Sequence, residues 1–176
     1  DTPMKKLSKI VALLLAGVMA MVMLTACSGG GGGGSVEKDA EAEVLKNLSS
    51  RREAASLVKD GELKNDRDVY RFAKEALDAD IRASYGSAYF KGDIHHDGID
   101  PAKEYVTFVV TMDYRFGTIL TNVMSELSKA FGKVGGNANV KLDSKWAGVG
   151  VVVESDAKGT YMAVGIRVLN LAYPKT

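Results

Sequence analysis

The stretch WAGVGVVVESDAKGTYMAVGIRVL, residues 146–169, decides how this chain is read. Two apolar runs rich in valine, 146–154 and 160–169, flank the polar segment SDAKG. Valine, isoleucine, tyrosine and tryptophan suit an extended, packed backbone, and a short polar link containing glycine suits a tight reversal. The stretch is therefore expected to be a β-hairpin, with Trp146 in the core or in the wall of a cleft.

Upstream, EYVTFVVTMDYRF (104–116) alternates Val106, Phe108, Val110, Met112, Tyr114 and Phe116 with Thr107, Val109, Thr111, Asp113 and Arg115. That period of two predicts a strand with one buried face and one more polar face. Between it and the hairpin, Ile119, Leu120, Val123, Met124, Leu127 and Phe131 fall at helical spacing, and Gly132 is a suitable stop. Two further helices precede the strand. One is expected over 40–57 and the other after Asn65 or Asp66, either of them a good N-cap. The second carries Val69, Phe72, Ala73, Ala76, Leu77 and Ile81 along one face and ends by Gly86. Residues 87–102 hold Gly92, Gly98 and Pro101 and read as loop, with Tyr85, Tyr89 and Phe90 lining a shallow groove beside it. The fold expected is α+β in the order ααβαββ, an α-β-α sandwich with a small antiparallel sheet.

The N-terminal segment reads as an address. Asp1, Thr2 and Pro3 precede Met4 as an extension, then come MKKLSK, an apolar run of 15 residues and TAC, ending at Cys27. A basic start, a short apolar core and small residues at a cut site form a secretory signal. Fifteen residues fall short of the roughly 20 that span a bilayer. Gly29–Gly34, flanked by Ser28 and Ser35, are expected to form a flexible tether with an end-to-end distance of about 15–18 Å. The organisation expected is a signal peptide over 1–26, a tether over 27–39 and a globular body over 40–176. Cys27 is the chain's single cysteine, so no internal disulfide is available and the body must be held by apolar burial.

Net charge excludes one class of partner. The 176 residues sum to +1, and Asp1, Lys5, Lys6 and Lys9 account for +2, which leaves the remainder at −1. Nucleic acid requires a basic face, so it is not an expected partner.

Two resemblances follow from these residues. Leu24-Thr25-Ala26-Cys27 resembles the lipobox of bacterial lipoproteins. The resemblance implies cleavage between Ala26 and Cys27, acylation of Cys27 and an anchor in membrane lipid on the extracytoplasmic face of the cell envelope. Multiple acyl chains hold where a single one is marginal. The closing hairpin resembles the last two strands of the CAP (SCP-like) superfamily. NLSSRREA from Asn47 and FAKEALDAD (72–80) resemble that family's first two helices.

Many members of that family place two histidines and two acidic residues around a central cleft, some with zinc. The resemblance puts His95 or His96 at the first histidine and Asp97-Gly98 after it. The motif that supplies the glutamate is missing, leaving Glu104 or Asp113, and Asn137 stands where the second histidine belongs. A cleft of His95, His96, Asp97, Asp113 and Asn137 would thus be degenerate.

The local chemistry has a plainer side. His95 and His96 are the chain's only histidines, and adjacent histidines in a Gly- and Asp-rich loop read first as exposed turn residues. Zinc would need three or four ligands from His95, His96, Asp93, Asp97 and Asp100. Calcium is the other candidate, although GDIHHDGID lacks both the DxDxDG spacing and the closing glutamate of a calcium loop. The reading is a tethered binding module for a small apolar molecule, a cell-wall fragment or an envelope protein. The alternatives are a metal-dependent envelope hydrolase and a structural part of an envelope complex.

Overall fold

The computed structural model describes residues 35–117, 120–134 and 138–174. The signal segment, Ala26, Cys27, the glycine tether and Asn137 lie outside the described residues. In chain order the elements are β1 (Ser35–Val36), α1 (Lys38–Ser49), a 3-10 turn (Arg52–Ala54), β2 (Val58–Lys59), β3 (Glu62–Leu63), α2 (Arg67–Ala83), β4 (Ile94–His96) and β5 (Tyr105–Asp113). A helical turn (Tyr114–Gly117), α3 (Leu120–Gly132), β6 (Trp146–Ser155) and β7 (Thr160–Leu169) complete the body. β2 and β3 form a small separate hairpin, and the other strands make one antiparallel sheet in the order β1-β6-β7-β5-β4.

The β6–β7 hairpin forms as its sequence predicts, and Asp156 is the reason it turns where it does. Its Oδ1 accepts from the backbone N–H groups of Lys158 (2.8 Å) and Gly159 (3.0 Å) and from the Tyr161 hydroxyl (3.1 Å). A short polar side chain thus takes up donors that the reversal would otherwise strand.

Both faces of the sheet are covered. Phe108, Val110, Val151, Val153, Val164 and Ile166 face α1 and α3, meeting Val44, Leu45 and Leu48 on one helix and Val123, Leu127 and Ala130 on the other. Val109, Val152, Tyr161 and Ala163 face α2, against Ala73, Ala76, Leu77 and Ile81. The more polar face expected on β5 is therefore buried too. Thr107 and Thr111 are 3% and 5% exposed: Thr111 meets Asp80 of α2, and Asp97 reaches the Thr107 N–H from the loop.

The approach of α2 is set by glycines. Gly150 and Gly165 are cross-strand partners in β6 and β7. A Cβ added at Gly150 would sit 2.5 Å from the Tyr70 amide nitrogen, and one at Gly165 would sit 2.8 Å from Val69 Cγ1. The first turns of α2 rest in this shallow seat. Asp66 fixes the entrance: its side chain caps the Asp68 and Val69 N–H groups at 3.0 Å, and its own N–H donates to Val149 O at 2.7 Å.

β6 would present an open edge, and the chain closes it at successive positions. Asn65 brackets Val151, donating to its carbonyl and accepting from its N–H. The Glu41 carboxylate accepts from Val153 N–H, Glu37 N–H donates to Val153 O, and β1 pairs Ser35 with Ser155. An edge satisfied in this way offers no row of free groups to another chain.

Three boundaries differ from the sequence reading. β1 (Ser35–Val36) falls within the span assigned to the tether and pairs with β6. The first helix stops at Ser49, where the Ser49 and Ser50 hydroxyls turn back on Lys46 O and Asn47 O, and a 3-10 turn follows. The loop over 87–102 contains β4, paired to β5 from Ile94↔Val110 to His96↔Phe108. Gly92 admits it, since a Cβ there would meet Thr111 O.

The glycine seat yields a stability prediction. Gly150→Ala should destabilise the protein by about 2–3 kcal/mol, because helix backbone must retreat. Gly132→Ala, at an open helix end, should be neutral or slightly stabilising. Urea denaturation of both variants measures the contrast, and equal effects would contradict the packing argument.

Candidate functional site

His95 lies on β4, opposite Val109 in β5, on the α2 side of the sheet. Its Nε2 is 2.7 Å from Asp80 Oδ2 on α2, and the Thr111 hydroxyl donates to the same oxygen at 2.6 Å. Asp93 N–H in turn donates to Thr111 Oγ1 at 2.8 Å. The carboxylate stands in the middle, accepting from imidazole and hydroxyl alike. Nucleophilic activation needs the hydroxyl to face the imidazole instead. This cluster fastens β4, β5 and α2 to one another.

The neighbouring candidates turn onto their own loop. His96 Nδ1 accepts from Gly98 N–H at 3.2 Å, and its ring meets Phe108 edge-on. Asp97 accepts from Thr107 N–H at 2.8 Å and pairs with Lys103 at 3.1 Å. Asp93 and Asp100 accept from the N–H groups of Ile94 and Ala102. Asp97 lies opposite Thr107, whereas Asp113 ends the same strand. Six residues of strand separate those levels by roughly 20 Å. His95 is about 14 Å from the level of Asp113 on the same scale. Glu104 is exposed just before β5, at the end away from Asp113. The expected cleft of His95, Asp97 and Asp113 is therefore spread along the sheet, and Asn137 lies outside the described residues. Among the described residues no group of three or more His, Cys, Asp or Glu side chains is placed to hold a metal ion.

Concavity is found elsewhere, where Asp113 ends β5. A pocket of about 210 Å³ is lined by Tyr85, Tyr89, Phe90, Asp113, Asp156, Lys158 and Tyr161, with Ile81 and small residues behind. Phe90 and Tyr161 stack with ring centres 4.7 Å apart. Tyr85 and Tyr89 are 53% and 78% exposed, an unusual cost for aromatic surface. Lys158 Nζ lies 6.0 Å from the centre of the Tyr85 ring. Burial, and then the hydrogen bond to Asp156, push the Tyr161 hydroxyl up to about 12, so it remains a donor at neutral pH. The groove expected beside Tyr85, Tyr89 and Phe90 is present. Asp156, Lys158 and Tyr161 join it from the hairpin turn, which a reading of strands alone treats as connection. A wider groove shares Phe90 and Asp113 and runs between β4–β5 and α3, past Ile94, Met112 and Lys129.

A buried ionic network lies under α2. Glu154 is fully buried on β6, with Lys74 Nζ at 2.6 Å and Asp78 beside it. Lys74 also reaches Asp78 at 3.1 Å. Burial, reinforced by Asp78, pushes the Glu154 carboxyl up to about 7. Glu41, next along, accepts from the Tyr70 hydroxyl at 2.9 Å and from Lys38 at 3.2 Å. Burial raises it as well, against the pull of Lys38.

Compared with family models, with characterised proteins and with solved structures, the chain matches none. Among the described residues no helix is long and apolar enough to cross a membrane.

Two predictions follow from these clusters. Asp80→Ala leaves the Thr111 hydroxyl and His95 without their shared acceptor and should cost about 1–3 kcal/mol in urea denaturation. Glu154 and Glu41 keep protons in the folded state that the unfolded chain has released above its ordinary carboxyl value of 4.5. Stability should therefore fall as pH rises from about 4.5 to about 7. Glu154→Gln should flatten that slope, read as urea midpoints across the range.

Proposed function

We propose that this chain is a bacterial envelope lipoprotein, anchored by Cys27, that presents a CAP-like binding module with its own site at the aromatic pocket. The single observation that carries the binding reading is the exposure of Tyr85 and Tyr89 around a pocket edged by Asp113, Asp156 and Lys158. Exposed aromatic faces with a few polar groups at hand are what a small-molecule site needs. The order of helices and main strands supports the CAP-like reading of the fold. The self-paired state of His95, Asp80 and Thr111 supports binding rather than turnover.

The anchor is supported by two features of the sequence and one of the fold. The lipobox-like LTAC and the glycine run stand in the required order, and the body begins at Ser35, directly after Gly34.

Replacement of Tyr89 by a photo-crosslinking phenylalanine derivative tests the binding role in cells. Envelope material should be captured at position 89 well above the yield from the same substitution at exposed Lys64. Equal yields would contradict a site there. For the anchor, mass spectrometry of the membrane-extracted chain should find Cys27 as an acylated N-terminus, and Cys27→Ala should abolish the modification.

A further inference from the structure

The aromatic pocket and Ser35 stand at the same end of the sheet. One row across it runs Val36 on β1, Glu154 on β6, Tyr161 on β7 and Asp113 on β5. The next row outward holds Ser35, Ser155 and Thr160, and the turn over 156–159 projects beyond. Four pocket residues, Asp113, Asp156, Lys158 and Tyr161, thus belong to the rows and turn that Ser35 joins. With strands about 4.8 Å apart, Ser35 is about 10 Å from Thr160. Cys27 stands eight residues before Ser35, at most about 28 Å of fully extended chain, so the pocket stays close to whatever surface holds Cys27.

We infer that this end of the body lies on the bilayer and that the pocket takes a zwitterionic phospholipid headgroup, its ammonium among the tyrosines and carboxylates and its phosphate toward Lys158. The inference rests on the anchored reading above. Each half of the headgroup finds its complement in the pocket. The exposed ring of Tyr89 is open to an ammonium, Lys158 stands over the ring of Tyr85, and Asp113 and Asp156 supply negative charge beside them. Lys158, on the hairpin turn next to Tyr85, supplies the cation that a phosphate needs. Tyrosine is also the residue that settles at membrane–water boundaries, where one side of the ring is apolar and the hydroxyl is wet. Asp156 caps the turn and Asp113 accepts from Arg115 N–H at 2.9 Å, but an apolar ligand would offer no complement to their charge or to that of Lys158. An anion alone would meet two carboxylates for one ammonium.

The test uses the full chain in nonionic detergent micelles, titrated with phosphoethanolamine and followed by NMR of tyrosine rings and lysine ammonium groups. Saturable shifts are expected at Tyr85, Tyr89 and Lys158. Tyr89→Ala, a change at an exposed ring, should weaken the binding about fivefold or more. Lys158→Gln should weaken phosphoethanolamine while leaving ethanolamine nearly unchanged. Inorganic phosphate binding as well as phosphoethanolamine would overturn the proposal, because the ammonium would then go unread. Preference for a cell-wall sugar fragment would overturn it in favour of a glycan site. Acylation of Cys27 is measured on the same preparation. An acylated chain that ignores phosphoethanolamine sinks this inference and leaves the anchor standing. An unacylated chain that binds it sinks the anchor, and with it the bilayer as the source of the headgroup.

Discussion

The close approach of α2 to the sheet is the constraint on which the rest depends. At Gly150 and Gly165 the helix rests almost on bare backbone, closer than any side chain would allow. That contact brings Asp80 within reach of His95 and Thr111, and Lys74 within reach of Glu154. It also sets the height of the helix's far end, so that Ile81, Ser84 and Tyr85 form one wall of the pocket. A helix seated on valines instead would ride higher, and each of these polar contacts would lengthen past hydrogen-bonding distance.

Much of this frame was legible in the sequence, and the reasons are local. The closing hairpin carries its turn residues between two apolar runs, and Asp66 stands before a clean helical stripe. The long strand declares itself by period. Elements that depend on distant partners gave no such sign. β1 and β4 are two and three residues long, too short for any periodicity, and exist because β6 and β5 offer edges. The polar positions on β5 read as solvent-facing because nothing in a strand's own alternation reveals that a second helix covers it.

The site was legible in part, for the same physical reason. Tyr85, Tyr89 and Phe90 cluster in sequence, and so the groove could be read there. Asp113 belongs to it as well, but His95 and Asp97 do not, since antiparallel pairing carries them back along β5 away from its end. Asp80, Glu41 and Glu154 were missed. Yet Asp80 and Glu41 each sit on the buried stripe of a helix, Asp80 beside Leu77 and Ile81 and Glu41 beside Val44, Leu45 and Leu48. A charged residue on an apolar stripe announces a buried partner. Its identity, here a tyrosine, a histidine or a backbone N–H from another element, comes only with the tertiary structure.

On the proposed reading the Ser35 end of the sheet is the working face of the molecule, and one measurement addresses that directly. With the full chain in bilayers carrying a spin label at the lipid headgroup, paramagnetic broadening should be strongest at Tyr85, Tyr89 and Tyr161. It should be weak at Tyr105, which stands at the far end of β5, roughly 27 Å away along the strand. Uniform broadening, or broadening centred on Tyr105, would contradict it.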